Sequence, residues 1–273
     1  MESYRGLVVI PTYNEHENIQ RLVPSVLEEA PSLEVLVVDD NSPDGTGEVA
    51  DSLAKEDRRV RVLHRPGKQG LGRAYVAGFR YALAGPCQLI IQMDGDFSHR
   101  PEDLSRLLWA AEDADLVIGS RNIPGGRVEN WPFLRRLISK GGSLYARTLL
   151  NLPVRDCTSG FKCFRREVLE AIDLGNVKAN GYGFQVEINY LCHLAGFHIA
   201  EVPIVFPDRI AGRSKMNRQI ALEAAFLVWQ LRLRHFSMHS ETTRPVQEPF
   251  NSREHHEVPA VRKSLLPGRA RRS

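Results

Sequence analysis

The stretch Leu89-Ile90-Ile91-Gln92-Met93-Asp94-Gly95-Asp96 decides the fold prediction for this chain. Its apolar part, Leu89–Met93, is typical of a buried strand in a parallel sheet. Two aspartates follow at once, where such a strand should end. Because open α/β sheets bind ligands at the carboxyl ends of their strands, the sequence predicts a ligand site at Asp94 and Asp96.

The spacing of the two aspartates indicates what kind of ligand this could be. Two carboxylates that lie close together repel each other unless a positive charge lies between or beside them. A divalent cation that carries a diphosphate would supply that charge. The Asp94-Gly95-Asp96 pattern alone also fits a different interpretation, an acidic turn that caps the next helix.

Strands and helices alternate over about the first 120 residues, which predicts an α/β fold with a mostly parallel, Rossmann-like sheet and helices on both faces. Asn14 is the expected cap of a first helix that runs to about Ala30, with Pro24 inside it. Pro101 should open a later helix. The predicted strands are Leu7–Ile10, Glu34–Val38, Val60–Leu63, Leu89–Met93 and Asp115–Ile118.

The regular alternation of strands and helices stops in the second half of the chain. We expect helices over Trp131–Leu150 and Phe184–Leu194, a loop or short strand at Thr158–Phe161, and a last strand over Ile199–Phe206. A helix over Ile220–Phe236 should be amphipathic and lie in a membrane interface or bind a partner. The predicted organisation is therefore a catalytic domain over 1–218, this helix within 219–236, and a disordered basic tail over 237–273.

Composition is that of an ordinary globular protein, with 42% hydrophobic and 25% charged residues among 273. A net charge of +3 is too small to indicate nucleic acid as a partner. No run reaches the roughly 20 apolar residues that a membrane span needs, and we expect no targeting segment. The cysteines lack metal-site spacing and should be reduced core thiols of a cytoplasmic protein; they are Cys87, Cys157, Cys163 and Cys192.

Two common nucleotide-binding motifs are missing from the sequence. No G-x-G-x-x-G joins the first strand to the first helix, so a dinucleotide-dependent oxidoreductase is disfavoured. The glycine-rich segment Gly67–Gly72 lacks the spacing of a phosphate loop, and a tight turn before a helix explains it as well. Acidic or polar groups follow three predicted strands, at Pro11–Glu15, Asp39-Asp40 and Asp94–Asp96, and they should converge at one sheet edge.

Several short segments together resemble a known family. The order and number of these segments make the chain similar to the polyprenol (dolichol) phosphate mannosyltransferases, inverting family 2 glycosyltransferases of GT-A fold. The resemblance covers roughly residues 5–218. The segments are Val9–Glu15, Val37–Thr46, Gly70–Tyr75, Met93–His99, Gly119–Arg121, Asp156–Phe161, Pro207–Arg209 and Gly212–Lys215.

The resemblance implies roles for individual residues. Asp96 would bind a Mg²⁺ or Mn²⁺ ion together with Ser98, although relatives often carry a longer glutamine at the Ser98 position, so a water could intervene. Arg135 and Ser139 would bind the phosphate of a lipid acceptor. The implied catalytic residues are Asp94, Asp96, Arg209 and Lys215. The implied donor-binding residues are Pro11, Tyr13, Glu15, Val38, Asp40, Asp94, Gly95, Asp96, Arg121, Arg209 and Lys215.

The resemblance also implies a reaction and its partners. Mannose would pass from GDP-mannose to a polyprenyl (dolichyl-type) phosphate, giving a β-linked lipid product. The enzyme would lie peripherally on the cytoplasmic face of a membrane, reached directly or through a small membrane subunit. Two alternatives remain open from the sequence: a glucosyltransferase that uses a UDP-sugar and the same lipid, and a non-catalytic nucleotide-binding relative.

Overall fold

The computed structural model describes residues 5–177, 179, 181–207 and 226–233. Seven strands form the central sheet, in the order β3-β2-β1-β4-β7-β5-β8, and β6 pairs with β9 in a small second sheet. The strands are β1 (Gly6–Thr12), β2 (Leu33–Asp39), β3 (Val60–His64), β4 (Leu89–Gln92), β5 (Leu116–Ser120), β6 (Arg127–Val128), β7 (Lys162–Arg165), β8 (Ile199–Pro203) and β9 (Val205–Phe206).

Helices follow most strands, which confirms the predicted alternation. A short 3₁₀ turn at Pro101–Asp103 precedes the fourth helix, so Pro101 opens this segment as predicted. The helices are α1 (His16–Glu29), α2 (Thr46–Glu56), α3 (Leu71–Ala84), α4 (Leu104–Ala110), α5 (Phe133–Leu150), α6 (Arg166–Ala171), α7 (Gly181–Leu194) and α8 (226–233).

Side chains of the central strands alternate between two hydrophobic cores, one on each face of the sheet. Leu7 and Val9 of β1 pack with α3, α5, α6, α7 and α8. Val8 and Ile10 pack with α1, α2 and α4 on the other face. Successive side chains of a strand point to opposite faces, so a strand buried on both sides is apolar throughout. The predicted sheet with helices on both faces is confirmed.

Parallel pairing brings the polar strand ends together. β1 lies between β2 and β4 and runs parallel to both, with Thr12 paired to Asp39 and Val9 to Gln92. The carboxyl ends of the three strands therefore share one edge of the sheet. The predicted convergence of Pro11–Glu15, Asp39-Asp40 and Asp94–Asp96 follows from this register.

Strand β7 is the main element that the sequence prediction left undefined. It runs antiparallel between β4 and β5, in a sheet whose other pairings are parallel. Because β7 runs in reverse, the loop that precedes it, Asp156–Phe161, lies at the same edge as the carboxyl ends of β4 and β5. This reversal adds a second chain segment to the predicted ligand site.

Two predicted boundaries are wrong, and the first concerns the start of α1. Asn14 does not cap this helix: it adopts a left-handed conformation with φ of 60°, and the helix begins at His16. The backbone N–H of His16 instead donates to the Asp44 carboxylate, which also accepts from the backbone N–H of Thr46 at the start of α2. One side chain from a neighbouring loop thus serves two helix N-termini, and Pro24 lies within α1 as expected.

The second wrong boundary concerns the predicted last strand, Ile199–Phe206, which is two strands. β8 ends at Pro203, and the chain then leaves the main sheet at Ile204 so that β9 can pair with β6. Ile204 itself is buried in the core on the α1 face. After this break, Phe206 of β9 lies at the predicted ligand site.

The four cysteines are free thiols, and three of them, Cys157, Cys163 and Cys192, are buried, as expected of core residues. Burial raises the pKa of each of these three thiols to about 12. Such thiols stay protonated at neutral pH and serve as small apolar side chains.

Residues 226–233 are helical and fall within the predicted helix over Ile220–Phe236. Residues 208–225 and 234–273 lie outside the described residues. The two ends of that predicted helix, the predicted domain boundary at 218 and the predicted tail therefore fall outside as well. No helix among the residues that the structure describes is long and apolar enough to cross a membrane.

Candidate active site

A cavity of about 620 Å³ opens at the carboxyl ends of β1, β2 and β4. Most of the predicted donor-binding residues line this cavity, together with Arg135. Val38, Ser98 and Ser139 are not in the lining, and Arg209 and Lys215 lie outside the described residues. The predicted residues that line the cavity are Pro11, Tyr13, Glu15, Asp40, Asp94, Gly95, Asp96, Arg121 and Arg135.

Val38 does not present its side chain to the cavity. It is fully buried, and a Cβ added at Gly78 of α3 would lie 3.3 Å from its Cγ2. The period of two in β2 sends Val38 to the core beneath α3. The donor contact that the resemblance implies for Val38 could therefore involve only its backbone.

Asp94 is held by two buried aromatic side chains. The Tyr75 hydroxyl donates to Asp94 Oδ1 over 2.6 Å, and the backbone N–H of Asp94 donates to His99 Nδ1 over 3.0 Å. Burial and the adjacent Asp94 carboxylate raise the pKa of Tyr75 well above its usual value, so Tyr75 remains a hydrogen-bond donor. Burial lowers the pKa of His99 and outweighs the opposing effect of nearby carboxylates, so the imidazole is neutral.

Asp96 and Ser98 form a tight polar turn directly after β4. The backbone N–H of Ser98 donates to Asp96 Oδ1 over 3.1 Å. The Ser98 hydroxyl is buried and finds no hydrogen-bond partner among the described residues. The helical segment that follows begins only at Pro101, after Arg100, which makes no side-chain cap hydrogen bond. The alternative interpretation of the aspartates as cap residues is therefore wrong.

The donor set at this turn fits a divalent ion that is also bound by phosphate. Within the described ranges, no group of three or more His, Cys, Asp or Glu side chains could enclose a metal by itself. Mg²⁺ commonly binds through one or two carboxylates and completes its shell with substrate phosphates and water. The Asp96 carboxylate, which lines the cavity, is an oxygen ligand of this kind, and the Ser98 hydroxyl two residues on is an unsatisfied oxygen outside the lining.

Asp40 ties together the loops on the β2 side of the cavity. Its carboxylate forms a nearly buried ion pair with Arg65 and accepts the backbone N–H of Gln69 over 3.3 Å. These bonds hold the loop that leads into α3, and both the last loop residue, Gly70, and the first helical residue, Leu71, line the cavity. The positive end of the α3 dipole lies at this wall and favours an anionic ligand.

Cationic side chains also belong to the lining of the cavity. Lys68 Nζ lies 3.8 Å above the ring of Tyr13, and the Arg135 guanidinium lies 3.9 Å from the ring centre of Trp131. Both contacts are within the range of cation–π attraction. Aromatic side chains therefore hold two positive charges in the lining of the same cavity as the acidic strand ends.

Arg121 lies in the lining but is already committed to a buried ion pair. Its Nε and Nη2 donate to the two carboxylate oxygens of Asp156, each over 2.7 Å, and Nη2 also donates to Thr158. Burial alone would raise the pKa of Asp156, but the charge and hydrogen bonds of Arg121 outweigh burial and hold that pKa below its usual value. This pair fixes the loop before β7 against the end of β5.

A buried polar network lies beneath the cavity floor, and sequence reasoning missed it. Lys162 Nζ donates to the side-chain oxygen of Gln185 over 2.6 Å and to its backbone oxygen over 3.2 Å. Gln92 Nε2 donates to the same Gln185 Oε1 over 2.9 Å. Burial lowers the pKa of Lys162 to about 7. Gln185 lines the cavity, while Lys162 is fully buried behind it.

The other missed residues carried a partial signal. Tyr75 and His99 fall within segments that carried the family resemblance, and Lys68 falls within the glycine-rich loop before α3. These segments indicated that the region belongs to the site, but they did not indicate which groups the three side chains contact. Gln185 and Lys162 carried no such signal, because a glutamine in an apolar helix and a lysine in a short strand have no distinctive spacing.

Comparison with known proteins shows the family to which the chain belongs. Residues 7–173 match the family model described as Glycosyl transferase family 2. An undecaprenyl-phosphate mannosyltransferase of Micrococcus luteus is 49% identical over 84% of this chain and 96% of its own length. A polyprenol monophosphomannose synthase of Mycolicibacterium smegmatis is 49% identical over 84% of this chain and 88% of its own.

The fold also resembles that of solved structures. Glucosyl-3-phosphoglycerate synthase from Mycobacterium tuberculosis, in a complex with Mn²⁺, UDP and phosphoglyceric acid, gives a TM-score of 0.62 at 20% identity. The likeness covers 84% of this chain and 78% of that one. At this identity the likeness shows the fold alone, and it confirms the predicted GT-A type α/β architecture.

The buried Arg121–Asp156 pair leads to a prediction about stability. Asp156→Asn should lower the free energy of unfolding by about 3 kcal/mol near neutral pH, because it leaves Arg121 buried without its counter-charge. The native pKa of Asp156 lies below the ordinary 3.8, so its stabilisation is complete above that value and is lost as the pH falls below it. The difference in free energy of unfolding between wild type and variant should therefore become smaller at acidic pH, as measured by urea unfolding at a series of pH values.

A matched control is Asp57→Asn, which removes the partner of Arg59 in a more exposed ion pair. Surface pairs contribute at most about 1 kcal/mol, so this variant should stay close to wild type. Equal destabilisation by both substitutions, or a gap for Asp156→Asn that does not change with pH, would contradict the role of the buried pair.

Proposed function

Since the chain belongs to glycosyl transferase family 2, we propose that it transfers mannose from GDP-mannose to a polyprenyl phosphate, with inversion, to give a β-linked polyprenyl phosphate mannose. The observation that carries the proposal is one cavity that combines the Asp94–Asp96 strand end with the cations Lys68 and Arg135. Such a cavity suits two polyanions brought together by a divalent ion. The names of the two relatives that are 49% identical support the sugar and the lipid class.

The donor diphosphate would lie at the end of β4. A bound Mg²⁺ or Mn²⁺ ion would offset the negative charge that develops on the departing nucleoside diphosphate. Asp96 and Ser98 would hold this ion, and Asp94 would be oriented by Tyr75 and His99. From the family resemblance we further propose that Arg209 and Lys215 contact the diphosphate.

The acceptor needs no general base. The second pKa of a phosphate monoester is about 6, so a polyprenyl phosphate is mostly a dianion at neutral pH and is already nucleophilic. His99 could not accept a proton at Nδ1, because that atom already accepts the Asp94 N–H. Arg135 and Ser139, one turn apart on α5, would bind the phosphate and align it for a single in-line displacement, which inverts the anomeric centre.

Helix α5 offers a surface that suits a lipid acceptor. Phe133, Leu137 and Leu144 are 80%, 57% and 63% exposed. The helix carries Arg135, Arg136, Lys140 and Arg147 and no acidic residue. An apolar surface with flanking positive charge is typical of helices that lie in the interface of an anionic membrane.

Helix α8 exposes further apolar side chains, Phe226 and Trp229. We therefore propose peripheral attachment to a membrane through α5 and α8, on the cytoplasmic side, where cysteines such as Cys87 stay reduced. A small membrane subunit that covers the same apolar surface is the alternative.

The proposed reaction is tested by a transfer assay with radiolabelled GDP-mannose and a short polyprenyl phosphate. Mannosyl lipid should form only with Mg²⁺ or Mn²⁺, and UDP-glucose should be a poor donor.

Asp96→Asn should lower the rate about a hundredfold or more, since it weakens binding of the ion that stabilises the leaving group. Circular dichroism should show an unchanged fold, and Asp51→Asn, outside the cavity lining, should keep full activity. Full-speed transfer by a chelator-treated enzyme would rule the proposal out.

The acceptor role of Arg135 is tested by separating lipid use from nucleotide binding. Arg135→Ala should lower kcat/KM for polyprenyl phosphate roughly tenfold to a hundredfold, the size expected for a lost hydrogen bond to a charged group. The affinity for GDP with Mn²⁺, measured by calorimetry, should change less than about twofold. Arg58→Ala, an exposed arginine outside the lining, is the matched control. Equal losses in lipid use and in GDP affinity would contradict the assignment.

Membrane attachment is tested by flotation with liposomes that contain anionic lipid. A variant with Phe133→Ser, Leu137→Ser and Leu144→Ser should bind at least about tenfold more weakly than wild type, because less apolar area enters the interface. Trp109 of α4 is 71% exposed, and Trp109→Ser controls for the loss of any exposed apolar side chain. If the wild type stays at the bottom of the gradient, direct attachment is wrong and a partner subunit is favoured.

A further inference from the structure

Three polar side chains converge on the space beside Gly160, which we call the Gly160 niche. A Cβ added at Gly160 would lie 3.2 Å from Asp94 Oδ2, 3.3 Å from His99 Cε1 and 3.4 Å from Gln185 Nε2. Gly160 and these three residues all line the cavity at the carboxyl ends of β1, β2 and β4. Any side chain at position 160 would fill the niche, so glycine keeps it open.

Two of the groups in the niche have hydrogen-bonding capacity left over. Asp94 Oδ1 accepts the Tyr75 hydroxyl, but no described residue donates a hydrogen bond to Oδ2. His99 Nδ1 accepts the Asp94 N–H, so the imidazole hydrogen must be on Nε2. That Nε2–H is buried without a hydrogen-bond partner in the described part of the chain, and it lies 4.0 Å from Asp94 Oδ2.

The third group is oriented by the network beneath the floor. Gln185 Oε1 accepts from both Lys162 Nζ and Gln92 Nε2. Lys162 carries hydrogens for this bond whether it is an ammonium ion or a neutral amine. A flipped Gln185 amide would turn its own N–H groups toward Lys162. The network therefore directs the Gln185 NH₂ group toward the niche.

We propose that the Gly160 niche binds one hydroxyl group of the sugar that is transferred, with Gln185 as a specificity-determining residue and Lys162 as its positioning residue. This inference rests on the proposed function. The niche offers one acceptor, Asp94 Oδ2, and one donor, Gln185 Nε2. A hydroxyl is the complement of this pair, since it can donate to the carboxylate and accept from the amide.

Other occupants suit the niche less well. A phosphate oxygen would face the Asp94 carboxylate and be repelled. A metal ion would face the N–H groups of Gln185, which are not ligands. An apolar group would leave the Asp94 oxygen and the Gln185 N–H groups without partners, which costs free energy. A site built to bind a hydroxyl discriminates strongly against a donor that lacks it.

The experiment combines modified donors with a modified niche. GDP-mannose and its 2-, 3-, 4- and 6-deoxy analogues are compared as donors for the wild type and for Gln185→Met, which keeps the side-chain length but removes the amide. For the wild type, one analogue should lose about tenfold or more in kcat/KM relative to GDP-mannose. For Gln185→Met, GDP-mannose should already show this loss, and the same analogue should lose less than about twofold more.

Two further variants separate the niche from general damage to the fold. Gly160→Ala should weaken sugar transfer while the affinity for GDP with Mn²⁺ stays within about twofold of wild type. Gly85→Ala is the control, because a Cβ there would make only an ordinary 3.5 Å contact. Lys162→Met should reduce discrimination against the same analogue, which a purely structural role for Lys162 would leave unchanged.

Calorimetry gives a readout that does not depend on transfer to lipid. Binding of GDP-mannose, of the deoxy analogues and of GDP alone is measured for the wild type and Gln185→Met. If the wild type binds GDP-mannose but does not mannosylate the lipid, the proposed function fails, and the same coupling between Gln185 and one hydroxyl still supports the niche. Equal binding of every analogue, or additive losses in Gln185→Met, overturns the niche. Absence of nucleotide-sugar binding overturns both.

Discussion

The crowding of negative charge at one sheet edge is the constraint on which the rest of the site depends. Parallel pairing of β1, β2 and β4 forces Asp39, Asp40, Asp94 and Asp96 onto neighbouring strand ends. Carboxylates brought this close and partly buried are costly unless each has a partner. Asp39 accepts from Thr12 and Ser42, Asp40 pairs with Arg65, Asp94 accepts from Tyr75, and Asp96 accepts the Ser98 N–H.

Two ion pairs at this edge of the sheet also connect loops to strand ends. Arg65 ties the loop before α3 to the end of β2, and Arg121 ties the loop before β7 to the end of β5. The reversal of β7 makes the second connection geometrically available, since it brings Asp156 to the edge where β5 ends. The two pairs therefore hold loops at the wall of the cavity in place, and the Arg65 pair also offsets the charge of Asp40.

The sequence was sufficient for the parts of the structure that depend on local pattern. Apolar runs marked β1, β2, β4 and β5, and the position of Asp94 and Asp96 after such a run located the site. It was not sufficient where distant segments decide the outcome. Gln92 and Gln185 are 93 residues apart in the chain, and nothing in either neighbourhood indicates that they share a hydrogen bond. The N-terminus of α1 is another example, because Asp44, which accepts the His16 N–H, is 28 residues away in the chain.

The chemistry around Asp94 follows from the same contacts. Burial and the Asp94 carboxylate keep Tyr75 protonated, and the Asp94 N–H fixes the His99 hydrogen on Nε2. The side chains beside this aspartate are thus arranged to donate hydrogen bonds and not to remove protons. Neither Tyr75 nor His99 is therefore available as the base that a hydroxyl acceptor would need. A phosphate acceptor is ionised before it binds and needs no such base, so the residues of the cavity have only to attract it with positive charge and to orient the sugar that it attacks.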